Sequence, residues 1–362
     1  MFKLASIVLV GVVAILAVYL QQTIKITGVF RSTTENNKGS CKPIHSGFCE
    51  KIILFDDKVY AFCSTFKKRS AYYPTLHVAN NLEKQQDELF VYDGTIKNIP
   101  IKFDNGLLVN GFDIKSINGK SILVASNVFN STVEEFEMSA KELTHTKTIK
   151  SPLFHALDDI AIADKDVYVV TNDHSMSAAN NLAYRVIEDI FSLPNGNVML
   201  ANKGKVDVII GHVPNANGLL LKYENELQLW VSSPSEGAIF RYNFNTEEGD
   251  YTLIDKISLD FSPDNLSEVG GTVSIAGMIK SSNVIYGILK LRSGDEKGYF
   301  DVDLTSQIVE IKNETSKDQF FGNLFSKTVK VQNKEMHFST GAIKYKNGYV
   351  VSGFNSLMFC KE

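Results

Sequence analysis

The sequence has little of what several functional classes require. Its formal net charge is only −4 over 362 residues, too small to imply a polyanionic partner. No Lys/Arg cluster interleaves with aromatics, which argues against nucleic-acid binding. No G-x-S-x-G pattern occurs. GSCKP and SSPSEG do not supply it, so a serine-hydrolase elbow is excluded. Helical signals are sparse; the best is Ala183 to Ile190 (AYRVIEDI), behind Asn180 and Asn181 as candidate caps. No Pro-rich or Ser-rich break interrupts the chain beyond residue 40, so residues 41–362 read as one domain. Hydrophobic residues make up 44% and charged residues 22%, enough apolar material to bury a core.

One segment stands apart. Leu4 to Leu20 carries no charge and is near the shortest stretch that spans a bilayer. No convincing small-x-small cleavage site follows it. Residues 4–20 are therefore expected to form an uncleaved signal anchor, with a cleaved signal peptide as the alternative. Lys3 on one side and Lys25 and Arg31 on the other are too balanced to fix orientation by charge. Residues 21–40 are polar and aperiodic and read as a linker. Four cysteines, Cys41, Cys49, Cys63 and Cys360, follow this segment. An even count behind a secretory-type segment suggests disulfides and an oxidising compartment; four buried thiols facing the cytosol are the alternative. Sequons at Asn130, Asn265 and Asn313 point the same way. The expectation is a membrane-anchored protein with a cytosolic N-terminus and a lumenal or extracellular domain, or a secreted one if the N-terminus is cleaved.

Strand signals dominate that domain. A turn followed by an apolar or β-branched strand recurs at 56–63, 118–126, 164–171, 224–233, 281–291 and 346–354. Further strands are expected at 88–93, 133–138, 238–244, 298–304 and 356–360. Repeats at this spacing predict an all-β fold, a six-bladed β-propeller; a large β-sandwich is the alternative. A ring needs closure. A Cys41–Cys360 bond would join the first and last strands, with a loop-entropy contribution of about 4–5 kcal/mol. The segment CEKIILFDDKVYAFC is symmetric about Asp56-Asp57, which predicts a hairpin with a cross-strand Cys49–Cys63 bond.

The runs LDDIAIADKDVYVVTNDH (157–174), PNANGLLL (214–221), PDNLS (263–267) and SLMFCKE (356–362) resemble the paraoxonase/arylesterase family. So do the apolar N-terminus, Cys41 and Tyr73-Pro74, in matching order over nearly the whole chain. The resemblance implies a propeller with two calcium ions in a central tunnel, hydrolysing lactones and aryl esters. It implies that the catalytic calcium is held by a Glu, three Asn and an Asp. Asn217 matches one Asn, and Asp264-Asn265 match the Asp–Asn pair. The family's Asn-Asp pair appears here as Asp158-Asp159. Its N-terminal Glu-Asp pair aligns without gaps to Cys49-Glu50, removing the Glu ligand; a shift of one residue puts Glu50 in its place. Two carboxylates and two amide oxygens still make a hard-oxygen site. The second, structural calcium would use Asp159, with Glu50 as a further candidate, and a backbone carbonyl near Phe112. Taken alone, the Asp-Asp and Asp-Asn pairs would read as turn residues.

The histidines depart most from the family. Its catalytic and pocket histidines fall at Asn110, Val128 and close to Met278, none of which can take a proton from water near neutral pH. His174 is retained beside Asp173 and reads as support for the site. His155, three residues before Asp158, is the candidate replacement base, and Asp158 or Asp264 could also serve. His212, before Asn217, reads as an ordinary loop or core histidine. Asn265 would be hidden from glycosylation in a tunnel, leaving Asn130 and Asn313 as acceptors. Two functions follow. One is a calcium-dependent hydrolase of a small-molecule ester or lactone, with altered activity. The other is a non-catalytic calcium-binding scaffold or assembly factor for a membrane protein.

Overall fold

The computed structural model describes residues 38–65, 86–176, 182–223, 226–245, 250–280, 282–283, 301–314 and 324–362, with isolated positions at 17, 21 and 24. The expected anchor, 4–20, lies almost wholly outside them. Among the described residues no helix is long and apolar enough to cross a membrane.

Among the described residues, twenty-five strands form six largely antiparallel sheets arranged as a propeller. The first strand, β1 (Ser40–Ser46), belongs to the last blade. Blade 1 comprises β2 (Phe48–Phe55), β3 (Lys58–Ser64), β4 (Glu88–Tyr92) and β5 (Ile96–Ile99). The short β6 (Ile101–Lys102) adds in parallel to the outer edge of blade 2, which is β7 (Val109–Ile117), β8 (Lys120–Asn127), β9 (Thr132–Met138) and β10 (Leu143–Lys150). Blade 3 is β11 (Leu157–Asp164), β12 (Val167–Asn172), β13 (Gly196–Asn202) and β14 (Lys205–Val213). Blade 4 is β15 (Leu219–Tyr223), β16 (Leu227–Ser233), β17 (Ala238–Phe244) and β18 (Tyr251–Ser258). Blade 5 is β19 (Ser262–Val269), β20 (Thr272–Met278), β21 (Thr305–Glu314) and β22 (Leu324–His337). Blade 6 is β23 (Ser339–Tyr345), β24 (Gly348–Gly353) and β25 (Ser356–Lys361), completed by β1.

The ring closes as expected. Cys41 pairs with Cys360 in the β1–β25 register, and the two are disulfide-bonded. Cys49 pairs with Cys63 across β2 and β3 and forms the second disulfide. The hairpin turns follow local chemistry. Asp56-Asp57, Asn118-Gly119 and Gly270-Gly271 all take positive φ, the conformation of two-residue turns whose twist suits antiparallel strands. Hydrophobic clusters fill the spaces between blades. Phe62 and Leu89 of blade 1 pack with Phe112, Leu123 and Phe136 of blade 2, and Val169 of blade 3 with Leu229 of blade 4. Neither face of a blade can be buried except by its neighbours.

Five of the six expected turn-strand copies coincide with second strands, β3, β8, β12, β16 and β24. Blade 5 differs. Its second strand is β20, after Gly270-Gly271, whereas the predicted copy at 281–291 lies mostly outside the described residues. The strand expected at 298–304 is also displaced: residues 301–304 are turn and coil, and the third strand begins at Thr305. The single described helix of any length, α1 (Leu182–Ile190), matches the predicted one; its candidate caps lie outside the described residues.

Candidate metal centre and hydrolytic site

Each innermost strand carries a polar pair at its start or just before it. The pairs are Glu50-Lys51, Asn110-Gly111, Asp158-Asp159, Asn217-Gly218, Asp264-Asn265 and Thr340-Gly341. Register shifts interrupt β2 between Cys49 and Ile52, β7 between Val109 and Phe112, β11 between Leu157 and Ile160, β19 between Pro263 and Leu266, and β23 between Ser339 and Gly341. Bulges of this kind re-aim side chains. Below the pairs, all six innermost strands line a cavity of about 1070 Å³, through Lys51, Asp113, Ala161, Leu219, Leu266 and Ile343 among others.

Side-chain hydroxyls from the second strands bind the wall together. Ser126 Oγ accepts from Gly111 N–H (2.8 Å) and donates to Asp158 O (2.5 Å) in the next blade. Thr171 Oγ1 accepts from Asp159 N–H (2.9 Å) and donates to Asn217 O (2.9 Å). Ser352 Oγ and Thr340 Oγ1 both donate to Glu50 O, at 3.1 and 2.5 Å. Ser232 Oγ accepts from Gly218 N–H (2.8 Å). These hydroxyls were not anticipated. Their signal is the recurring strand ending LVAS, YVVT, LWVS and YVVS; in the strand register blade 1 has Phe62 at that position and blade 5 has Ala276. Glycines permit the close approach: a Cβ on Gly111 would lie 2.3 Å from Asp159 Oδ1, and one on Gly218 would lie 2.7 Å from Asp264 O.

The predicted ligands fall into two groups. In the first, Glu50, Asp158 and Asp264 are buried carboxylates, joined by the buried Asn265 and the half-buried Asn217. Burial pushes the Asp158 carboxyl well above its usual range, aided by the charges of Asp173, Glu50 and Asp159. Burial does the same to Asp264, with Glu50, Asp158 and Asp159 as its charged neighbours. Asn265 Nδ2 donates to Glu50 O and Asp264 Oδ1, both at 3.2 Å. Asn217 Oδ1 is buried and accepts no hydrogen bond among the described residues. Three mutually repelling carboxylates and a bare amide oxygen suit a hard divalent cation. Of the two residues that the alignments offer, Glu50 has a charge that acts on Asp158 and Asp264, while Cys49 is tied into a disulfide.

Asp159 stands in the second group. Its carboxylate accepts from Lys51 Nζ at 2.5 and 2.7 Å, from Ile160 N–H at 2.7 Å and from Leu219 N–H at 2.7 Å. Burial pushes its carboxyl up and Lys51 opposes the shift. The Phe112 side chain lies in the core between blades 1 and 2, edge-on to Phe62.

The histidines are placed differently from one another. His174 is buried, with Nδ1 3.0 Å from Asp173 Oδ2 and Nε2 3.1 Å from Asp189 Oδ1 of α1. Burial and the Arg185 charge oppose its protonation, but Asp173 and Asp189 outweigh them and raise its pKa to about 10. Arg185 pairs with the same Asp173, and its Nη2 lies 2.8 Å from His174 Nδ1. This cluster fastens α1 to the β12 end. His155 is half-buried; its backbone N–H meets Asn172 Oδ1 at 3.4 Å, and among the described residues its imidazole makes no hydrogen bond. His212 is exposed on β14. Asn110 Nδ2 donates to Leu157 O (3.3 Å), and Val128 and Met278 are buried. Asn130 is exposed, Asn265 is buried in the tunnel, and Asn313 lies in β21.

Comparison with known proteins bears on the same stretch. Residues 116–278 match the arylesterase family model. The match spans Asp158-Asp159, Asn217 and Asp264-Asn265, so the resemblance read from the sequence holds from the end of β7 to β20. The fold is similar to a luciferin-regenerating enzyme (TM-score 0.52, 10% identity, covering 90% of this chain and 95% of that one). It is equally similar to a gluconolactonase from Xanthomonas campestris (TM-score 0.52, 11% identity, 89% of each chain). No curated protein matches the sequence. Identities this low carry the fold alone.

Proposed function

We propose that this arylesterase-like chain is a calcium-dependent hydrolase of carboxylic esters, aryl esters or lactones, working at the mouth of the axial tunnel. The observation that supports the reading is the mutual repulsion of the buried carboxylates Glu50, Asp158 and Asp264, with Asn265 beside Asp264 and the half-buried Asn217 just before β15, although among the described residues no group of three or more His, Cys, Asp or Glu side chains is close enough to hold a metal ion as it stands. Bound there, calcium would supply a Lewis acid for the substrate carbonyl oxygen. The protein's own part is positional and acid–base. Asn265, held by Glu50 O, fixes the Asp264 side chain. Asp264, whose pKa burial raises, is the carboxylate that would accept the proton of the attacking water. Asn110 and Val128, at the positions of the family's histidines, carry no titrating group, and Val128 packs in the core between blades 2 and 3. His174, bound on both ring nitrogens by Asp173, Asp189 and Arg185, holds α1 rather than serving as the base.

The test is turnover of phenyl acetate and a lactone panel by the full chain, with and without chelator. Asp264→Asn at saturating calcium should lose at least about 100-fold in kcat, and His155→Ala should change it less than about threefold. The reverse ranking would transfer the base to His155. Absence of turnover across the panel, with calcium-dependent melting intact, would favour the second reading, a calcium-stabilised scaffold for a membrane protein. That reading draws on the apolar side chains exposed near α1, Met176, Tyr184, Ile187, Ile190 and Phe191. For location, we propose a membrane-anchored chain with the propeller lumenal or extracellular. Two disulfides support it, and protease protection of the propeller in sealed microsomes tests it.

A further inference from the structure

We infer that the tunnel takes one divalent cation rather than two, because the Lys51 ammonium occupies the position of the structural calcium that the family resemblance implies. Asp159 is the residue expected to hold that second ion. A carboxylate offers about four acceptor positions. Four donor contacts fill them: two from Lys51 Nζ, at 2.5 and 2.7 Å, and one each from the backbone N–H groups of Ile160 and Leu219, both at 2.7 Å. No lone pair remains for a metal. Lys51 itself is only 3% exposed, so the ammonium is a built component of the wall, not a surface charge that folds inward.

The second carboxylate near this position, Asp113, has half of its acceptor positions engaged. Asp113 Oδ1 accepts from Ile114 N–H and Oδ2 from Ile162 N–H, each at 2.8 Å. Lys51, Asp113 and Leu219 line the same cavity. A calcium ion placed here would have to expel a buried ammonium whose charge repels it at contact distance. Lys51 joins blade 1 to blade 3 through Asp159, and Asp159 joins blade 3 to blade 4 through Leu219. The ammonium thus does, with one charge, the cross-blade tethering that a structural divalent ion would do with two. The register shift after Cys49 places Glu50 with the other cluster and Lys51 here, so adjacent residues serve the two positions. The count of one rests on the calcium reading of the Glu50–Asp158–Asp264 cluster; the assignment of Lys51 does not.

Calcium titration of the full chain after decalcification, by calorimetry with metal analysis, reads the count. One ion per chain is expected for the wild type, and two for Lys51→Asp, which exchanges the ammonium for a carboxylate facing Asp159. A wild-type count of two overturns the inference. A wild-type count of zero sinks the calcium-dependent function instead, and the Lys51 assignment then stands or falls on whether Lys51→Asp gains a single site. Asp159→Asn covers the case in which Lys51→Asp does not fold. It should lower Tm equally in chelator and in saturating calcium, leave the count at one and change calcium Kd less than about threefold. A Tm loss confined to calcium, with a lost ion, would place a metal on Asp159 and refute the inference.

Discussion

Asp264→Asn should push stability in opposite directions with and without calcium. In the calcium-free protein, Asp264 is buried with Glu50 and Asp158 as like-charged neighbours, and its pKa is driven up. Each unit of such a shift that lies below the working pH costs the fold about 1.4 kcal/mol. Exchanging one carboxylate for a neutral amide of nearly the same shape therefore gains about 1–3 kcal/mol in chelator. Calcium at about a hundred times its Kd adds about 2.7 kcal/mol to the wild type. A variant whose Kd has risen about a hundredfold keeps only about 0.4 kcal/mol of that. At about 2 °C per kcal/mol for a domain of this size, Tm of the variant should exceed that of the wild type by about 2–6 °C in chelator. Its calcium-induced rise should shrink from about 5 °C to about 1 °C. Scanning calorimetry of both proteins under both conditions checks this. A variant that melts below the wild type by the same margin with and without calcium would refute the idea of a repulsive cluster awaiting a cation.

Three further outcomes follow from the tunnel wall. Ser126→Ala strands the buried Gly111 N–H and frees Asp158 O, which should cost about 1–3 kcal/mol in a urea melt and weaken calcium binding. Gly111→Ala drives a Cβ to 2.3 Å from Asp159 Oδ1 and 2.4 Å from Asp159 Cα, so it should cost about 1–3 kcal/mol; Gly211→Ala, which meets open space, should be near neutral in the same assay. His174 holds its proton up to about pH 10, against an ordinary value of 6.5. Its ion-pair contribution is therefore full below about pH 6.5, declines above it and is gone beyond about pH 10. The Tm gap between wild type and His174→Gln should narrow over that window; a gap that widens with rising pH would contradict the imidazolium assignment.

Much of the ring was legible in the sequence because its signals are local. Asp56-Asp57 and Asn118-Gly119 announce turns by their backbone preference, and the strands behind them alternate or run apolar. Cysteine count and placement gave both disulfides. Blade 5 was misread because TVSIAGM, rich in small residues and buried throughout as β20, is a weaker strand signal than the more apolar run at 281–291. For the candidate site, the gapless reading put Cys49 where a shift of one residue put Glu50. A bulge after Cys49 sets the Glu50 charge against Asp158 and Asp264, and no gapless alignment anticipates a bulge. Lys51 was overlooked because lysine in a strand ordinarily faces water; only the fold brings Asp159 to it from another blade. The hydroxyls Ser126, Thr171 and Ser232 were hidden in plain view at strand ends, where Ser and Thr ordinarily mark turns.

An anomalous difference map from crystals of the full chain grown with calcium or a lanthanide tests the central claim most directly. The account predicts one strong peak within bonding distance of oxygens from Glu50, Asp158, Asn217, Asp264 and Asn265, on the tunnel axis. Peaks only on the outer faces of the blades, with those side chains unengaged, would contradict it.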